Sequence, residues 1–252
     1  METVSIITIC YNCKDSLLRT VQSVISQNYS QKEYIIVDGG STDGSMEAIA
    51  PYREHIDQLL SERDDGIYDA LNKGIRMSHG EWVVCMNAGD VFASPDILSQ
   101  VLSEEIPKEV TFLYSDYWMQ TADGGRVKGI ADRDKGNLLH QSCIYRRCLH
   151  EKYGYYLVTH PYIVSDLLFF LSVPAEQFKK VPVEISINDE GGVSQQGLWS
   201  SEGALALKTV FHIESLSSAW RRYMSLRLRR AVPYSWRRWI RKHILPKHRG
   251  DR

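Results

Sequence analysis

The sequence predicts an α/β domain with a mostly parallel central sheet over residues 1–216, followed by basic amphipathic helices over 217–252. Three observations carry this. Apolar β-branched runs alternate with helix-period segments from Val4 to Asp90, the pattern of strands joined by covering helices. Three of the predicted strands run into loops that bear acids, Asp38, Asp65 and Asp90. The formal net charge of −1 conceals an asymmetry, because residues 220–252 hold 12 Lys/Arg against one acid while the other 219 residues hold 18 against 30. With 252 residues, 43% of them hydrophobic, the chain is long enough for one large core and an appendage.

Val4–Cys10 is a continuous apolar run suited to a buried parallel strand. A polar loop follows, and Ser16 is the expected N-cap of a helix with Leu17, Leu18, Val21, Val24, Ile25 and Asn28 along one side. Glu33–Asp38 reads as a second strand ended by Gly39-Gly40-Ser41-Thr42-Asp43-Gly44, and a helix is expected from Ser45 to Tyr52. Leu59-Leu60 marks a third strand, Ile67–Met77 a helix closed by Gly80, and Glu81–Met86 a fourth strand. Beyond Asp90 the pattern predicts a helix over Pro95–Leu102, a strand over Val110–Tyr114, a helix over Ser165–Leu171, a strand over Val181–Ile187 and a helix over Glu202–Leu216. Residues 115–160 mix aromatics, glycines and charges and suit a substrate-facing region. Gly191-Gly192 opens a flexible segment.

The loops exclude the common nucleotide motifs. Tyr11-Asn12-Cys13-Lys14-Asp15 has no glycine, which a dinucleotide turn requires, and Gly-Gly-Ser-Thr-Asp-Gly lacks the Lys-Ser/Thr pair of a phosphate loop. Cys10-Tyr11-Asn12-Cys13 has the C-x-x-C spacing, and Cys143 with Cys148 offers only a loose partner pair for zinc, so two small residues at a core edge is the favoured reading. The remaining candidates are the strand-end carboxylates. In a parallel sheet they project from one edge and can bind base N–H groups, ribose hydroxyls or a divalent cation bridging a diphosphate. Capping of ordinary turns is the alternative.

Val4-Ser5-Ile6-Ile7-Thr8 with Asn12, Ile35–Gly44, Asp65–Gly74 and Gly80–Asp90 together resemble the family 2 glycosyltransferases, densely and in order over residues 4–90. Fainter echoes are His140-Gln141-Ser142, Ser165-Asp166 and Asn188–Ser194. The resemblance implies a single GT-A, Rossmann-like domain, with a nucleotide-sugar half over about 1–115 and an acceptor half over about 116–216. It implies that Thr8 and Asn12 line the nucleotide pocket, that Asp38 accepts from uracil, and that Asp65 lies by ribose or base. Asn72, Lys73, Asn87, Ala88 and Gly89 complete the donor site. Asp90 would hold Mn²⁺ or Mg²⁺, and Asp166 would be the general base. His140, Gln141, Gly192, Ser194 and Glu202 fall in the acceptor or phosphate region. One departure stands out: Asn87-Ala88-Gly89-Asp90 keeps one carboxylate where the family often has three, which predicts a thin metal shell.

Such an enzyme would move a hexose or N-acetylhexosamine from a UDP-sugar to an undecaprenyl-diphosphate-linked saccharide during bacterial O-antigen or exopolysaccharide synthesis. The resemblance implies inversion, and a covalent retaining route would need a second carboxylate under the sugar. In the tail, Trp236, Trp239, Ile240, His243 and Ile244 share one helical face, and Arg237, Arg238, Arg241 and Lys242 the other. Trp220, Met224, Leu228 and Val232 form a similar stripe. Such helices bind anionic membrane surfaces; packing on the protein's own core is the second reading. Nucleic acid is not expected as a partner, since no recognised motif for it is present. No run approaches the roughly 20 apolar residues of a membrane span, so the expected location is the cytoplasm, peripheral on the inner face of the membrane. The alternative function is a non-enzymatic sugar-nucleotide fold whose basic tail binds membrane or nucleic acid.

Overall fold

The computed structural model describes residues 2–102, 105–121, 123–159, 162–189 and 198–231. The chain runs β1 (Val4–Cys10), α1 (Lys14–Ile25), β2 (Lys32–Asp38), α2 (Ser45–Ile49), β3 (Gln58–Ser61), α3 (Ile67–Met77), β4 (Trp82–Cys85), β5 (Val91–Phe92), α4 (Ile97–Leu102) and β6 (Phe112–Tyr114). It continues through β7 (Tyr117–Gln120), β8 (Arg126–Gly129), β9 (Cys143–Arg146), α5 (Leu149–Tyr153), α6 (Ser165–Ser172), β10 (Phe178–Lys180), β11 (Ser186–Asp189), α7 (Leu198–Val210) and α8 (Leu216–Ala231). Seven strands form the main sheet in the order β10-β6-β9-β4-β1-β2-β3, and β5-β11-β7-β8 form a second, smaller sheet. In the main sheet β1 pairs parallel with β2 and β4, β2 with β3, and β10 with β6; only β9 runs antiparallel to its neighbours. This is an α/β domain with a mostly parallel central sheet, as the sequence predicts.

The chain leaves β1 toward β2 on one side and returns to β4 on the other. The crevice at such a reversal, beyond the carboxyl ends of the strands, is where open sheets bind ligands. Both faces of the sheet are covered. Ile6, Leu17, Val21, Val24, Tyr34, Ile36, Trp82 and Val84 belong to one buried cluster, and Ile7, Ile9, Ile35, Val37, Leu71, Ile75, Val83 and Cys85 to the other. The alternation of Ile6 and Ile7 between clusters is the period-two pleat of a strand buried on both sides. Helix α3 presses closely on the sheet at Gly74, where an added Cβ would lie 2.4 Å from Ile7 Cγ2.

Three of the boundaries that differ from expectation do so for a plain physical reason. Helix α1 starts at Lys14, ahead of Ser16, because its first amide is capped from another loop: Lys14 N–H donates to Asp43 Oδ2 at 3.0 Å. Helix α2 stops at Ile49 and a 3-10 turn over Ala50–His55 takes over, with Pro51 in its first turn. The strand expected over Val181–Ile187 is two strands in different sheets, β10 ending at Lys180 and β11 beginning at Ser186. Pro182 between them has no N–H to give a ladder. In residues 115–160 the structure adds β7, β8, β9 and α5. Helix α7 begins at Leu198, before Glu202, and ends at Val210. The residues of the tail beyond Ala231, including the predicted helix over Tyr234–Leu245, lie outside the described residues.

Candidate active site

The loops after β1 and β2 are fastened to each other. Asn12, in the left-handed region with φ +47°, accepts from Thr42 N–H at 2.8 Å through Oδ1, while its own N–H donates to Ser41 Oγ at 2.8 Å. Asp43 Oδ1 accepts from Ser45 N–H at 3.0 Å, so the same carboxylate caps α1 and α2 together. Asp38, at the end of β2, is fully buried and accepts from Ser41 N–H at 3.0 Å and from the hydroxyls of Ser41 and Ser61. Its carboxylate thus organises the loop from within. Beside it Gly39 leaves room for Asp64, whose Oδ2 would stand 2.5 Å from an added Cβ, and for the exposed ring of Tyr11. Asp65 is exposed, and its N–H donates to Asp69 Oδ2 at 3.2 Å. The resemblance singled out Asp65; the structure adds Asp64 against Gly39.

The Cys10/Cys13 pair holds free thiols, Cys10 buried and Cys13 half-buried. The hydrogen bond from Cys10 draws the Cys13 thiol down to about 7, against the opposing effect of burial. Cys10 also donates to Asp38 Oδ1 at 3.6 Å. Cys143, the distant partner weighed for zinc, is buried and donates to Leu139 O at 3.2 Å.

Past β4, Gly89 adopts φ +110°, a conformation suited to glycine, and the turn is bolted to α1 by Thr20. Gly89 N–H donates to Thr20 Oγ1 at 2.9 Å and Thr20 Oγ1 donates to Asp90 O at 2.7 Å. Ala88 N–H continues the sheet ladder to Ile9 O at 3.1 Å. Asn87 Oδ1 is buried with no hydrogen-bond partner. Asp90 is half-buried. Burial pushes its carboxyl up to about 7, the charge of Asp189 adds to this, and the Asp189 N–H, Gln141 and Arg19 oppose it. Asp189 reaches Asp90 because β11 pairs with β5, the strand that immediately follows Asp90. Its N–H donates to Asp90 Oδ1 at 3.3 Å, and its side chain is held by Arg19 at 2.5 Å. The contact joins residues 99 apart, beyond the reach of any local pattern.

Asp166 opens α6. Its Oδ1 accepts from the hydroxyl of Tyr68 at 2.8 Å. Gln141, in the turn His140–Ser142, opposes the rise of the Asp90 carboxyl, and the adjacent His140 feels the charge of Asp166. His140 itself does not face the acceptor side. It is buried between Tyr156 and Phe170, both at 5.5 Å centroid distance, and is hydrogen-bonded to Tyr156 OH at 3.1 Å. Burial lowers its pKa, keeping the ring neutral.

Three other expected donor-site residues serve the scaffold. Thr8 is fully buried, its hydroxyl 3.1 Å from that of Tyr34, so it lies under the sheet's helix layer and does not line the edge. Asn72 is buried and clamps Tyr156 by both backbone groups, Nδ2 to O at 2.7 Å and N–H to Oδ1 at 3.0 Å. Lys73 is spent on Glu62 at 2.9 Å, Asp69 at 3.1 Å and Arg63 O at 3.2 Å, which ties α3 to its entry loop. Glu202, on α7, faces Arg227 of α8 at 3.8 Å. Gly192 and Ser194 lie outside the described residues.

Residues 5–111 match the family model of glycosyl transferase family 2. It is 39% identical over 101 residues to an uncharacterized glycosyltransferase of Mycobacterium tuberculosis, a match that spans 40% of this chain and 38% of the relative's length. It is 33% identical over 121 residues, 48% of each chain, to the Escherichia coli UDP-Glc:alpha-D-GlcNAc-diphosphoundecaprenol beta-1,3-glucosyltransferase WfaP. The fold is similar to that of S. aureus TarS (residues 1–349) in complex with UDP, with a TM-score of 0.67 at 15% identity over 83% of this chain and 65% of that one.

Proposed function

We propose that the protein transfers a hexose or N-acetylhexosamine from a UDP-sugar to a saccharide on a lipid diphosphate, with inversion, in bacterial surface polysaccharide synthesis. The observation that carries this reading is a half-buried carboxylate past β4, Asp90 bound by the Asp189 N–H, together with Asp166 held by Tyr68 at the start of α6. Transfer develops negative charge on the departing diphosphate and requires loss of the acceptor's hydroxyl proton. Asp166 takes that proton, as a positioned carboxylate can. A single base acting opposite the leaving group gives inversion. The loops of Asn12, Ser41 and Asp64 hold the nucleoside, and WfaP, which takes UDP-Glc and a GlcNAc-diphospholipid by name, supports the choice of donor and acceptor class.

The family implies a divalent cation, and the residues fit one. Asp90 offers a carboxylate and Asn87 a buried amide oxygen with no partner of its own, the hard oxygen donors that Mn²⁺ and Mg²⁺ prefer. Among the described residues no three His, Cys, Asp or Glu side chains gather at one point. When bound, the cation neutralises the charge of the leaving diphosphate. UDP with Mn²⁺ is expected to raise the melting temperature in proportion to the logarithm of its concentration, since ligand binds only the folded chain. Incubation with a panel of UDP-sugars and a GlcNAc-diphospholipid then reads transfer directly. Absence of both a shift and any product points to the non-enzymatic alternative.

The same reading places the protein on the inner face of the membrane, through its C-terminal helices. Among the described residues no helix is long and apolar enough to cross a bilayer. Helix α8 exposes Leu216, Trp220 and Met224 at successive turns beside Arg221 and Arg222, a surface that core packing would have covered. Sedimentation with anionic vesicles is expected to bring the full chain down at low salt and to release it at high salt. A full chain that stays in solution at low salt rules this placement out.

A further inference from the structure

We propose that Tyr68 is the positioning residue for Asp166, its hydroxyl holding one carboxylate oxygen so that the other meets the acceptor. This rests on the reading of Asp166 as the base. Tyr68 is 2% exposed and lies on the buried side of α3. Its hydroxyl stands 2.8 Å from Asp166 Oδ1, 2.9 Å from the N–H of Ser165 and 3.5 Å from the N–H of Asp166. Backbone amides only donate, so the phenolic oxygen accepts from them and its single proton goes to Asp166. Two donors at the oxygen polarise the O–H and strengthen what it gives. Burial, together with the charge of Asp166, raises the phenol well above its usual range, so it stays a donor at any working pH.

The strut behind Tyr68 is equally fixed. One turn further along α3, Asn72 clamps the backbone of Tyr156, whose ring packs on Tyr68 at 5.7 Å. The next residue, Leu157, donates its N–H to Ser165 Oγ at 2.6 Å, closing a circuit around the start of α6. Helix α3 itself begins at Ile67, after Gly66 and the Asp64-Asp65 loop on the donor side. One helix thereby joins the nucleotide loop to the base, which accounts for Tyr68 and Asn72 in the Asp65–Gly74 motif without ligand contact by either.

The test is a double-variant cycle in the full chain. Transfer is measured from a mixture of UDP-glucose, UDP-galactose and their N-acetyl forms to GlcNAc-diphosphate on a short alkyl chain, with UDP–Mn²⁺ affinity measured by calorimetry. Tyr68→Phe is expected to lower kcat about 10–100-fold, the loss for a hydrogen bond to a charged group, with UDP–Mn²⁺ affinity unchanged. In an Asp166→Asn background the same change is expected to cost less than about twofold, since the two act as a unit. Losses that multiply, or an unaltered kcat in Tyr68→Phe, overturn the positioning role. Full activity of Asp166→Asn overturns the base reading itself, a separate result. Should Tyr68→Phe fail to fold, a ring-fluorinated tyrosine at position 68 keeps the shape and alters the O–H. It is expected to move the pH dependence of kcat, and an unmoved profile refutes the proposal.

Discussion

Asp166→Asn in the full chain is expected to lower turnover by about 10²–10⁴-fold, the range for removal of a general base, while UDP–Mn²⁺ affinity is expected to stay within about twofold. The split follows from position. Asp166 stands at the start of α6, tied to Tyr68, and touches none of the loops after β1 and β2 that are assigned to the nucleotide. The amide of Asn still accepts from Tyr68, so the local structure survives and the loss is chemical. Steady-state rates beside calorimetry with UDP and Mn²⁺ check both halves. Near-normal turnover would remove Asp166 from the mechanism.

Asp90→Asn is expected to abolish transfer and at the same time to raise the melting temperature at pH 7.5. The two effects have one cause. The carboxyl of Asp90 is pushed to about 7 chiefly by burial, whereas in the unfolded chain it titrates near the ordinary Asp value of about 3.9. Between those values the folded state holds more protons than the unfolded state, so stability falls as pH rises through that window. Below the unfolded value both states are protonated and the difference is gone. An uncharged amide escapes the cost. For a chain of this size each kcal/mol recovered is worth about 2–4 °C, and the gain should vanish at pH 4. Calorimetric melting at the two pH values, run with chelator and set beside transfer assays with Mn²⁺, decides the matter. A variant that retains transfer in chelator shows that Asp90 holds no cation.

Much of the first ninety residues was legible because burial on both faces leaves a plain signature. Val4–Cys10 and Ile67–Met77 have the bounds the apolar pattern implies, since a continuous β-branched run and a helical stripe admit few alternatives. The strand ends then placed Asp38 and Asp90 at one edge by geometry alone. What escaped depends on contacts distant in sequence. The start of α1 is decided by Asp43, 29 residues beyond Lys14, and no local pattern of capping residues could show it. Strands β7 and β8 are short and half-buried or exposed, so their side chains do not alternate. The assignments of Thr8, Asn72, Lys73 and His140 came from resemblance, whereas their side chains are used within the protein. For Thr8 the strand's own parity was informative, because it shares a face with Ile6 and Cys10, which pack into one buried cluster.

Strand β8 has a bearing on how copies of this chain behave toward one another. Among the described residues it is the outer member of the second sheet, hydrogen-bonded to β7 alone, and it exposes Val127. Such an edge is a template for strand addition by a second molecule. Arg126 and Lys128 flank that valine, and Lys128 is turned toward Glu184 at 2.5 Å. Pairing two such edges would bring like cations together and pull Lys128 from its partner. The edge is therefore defended by charge against pairing with a second copy.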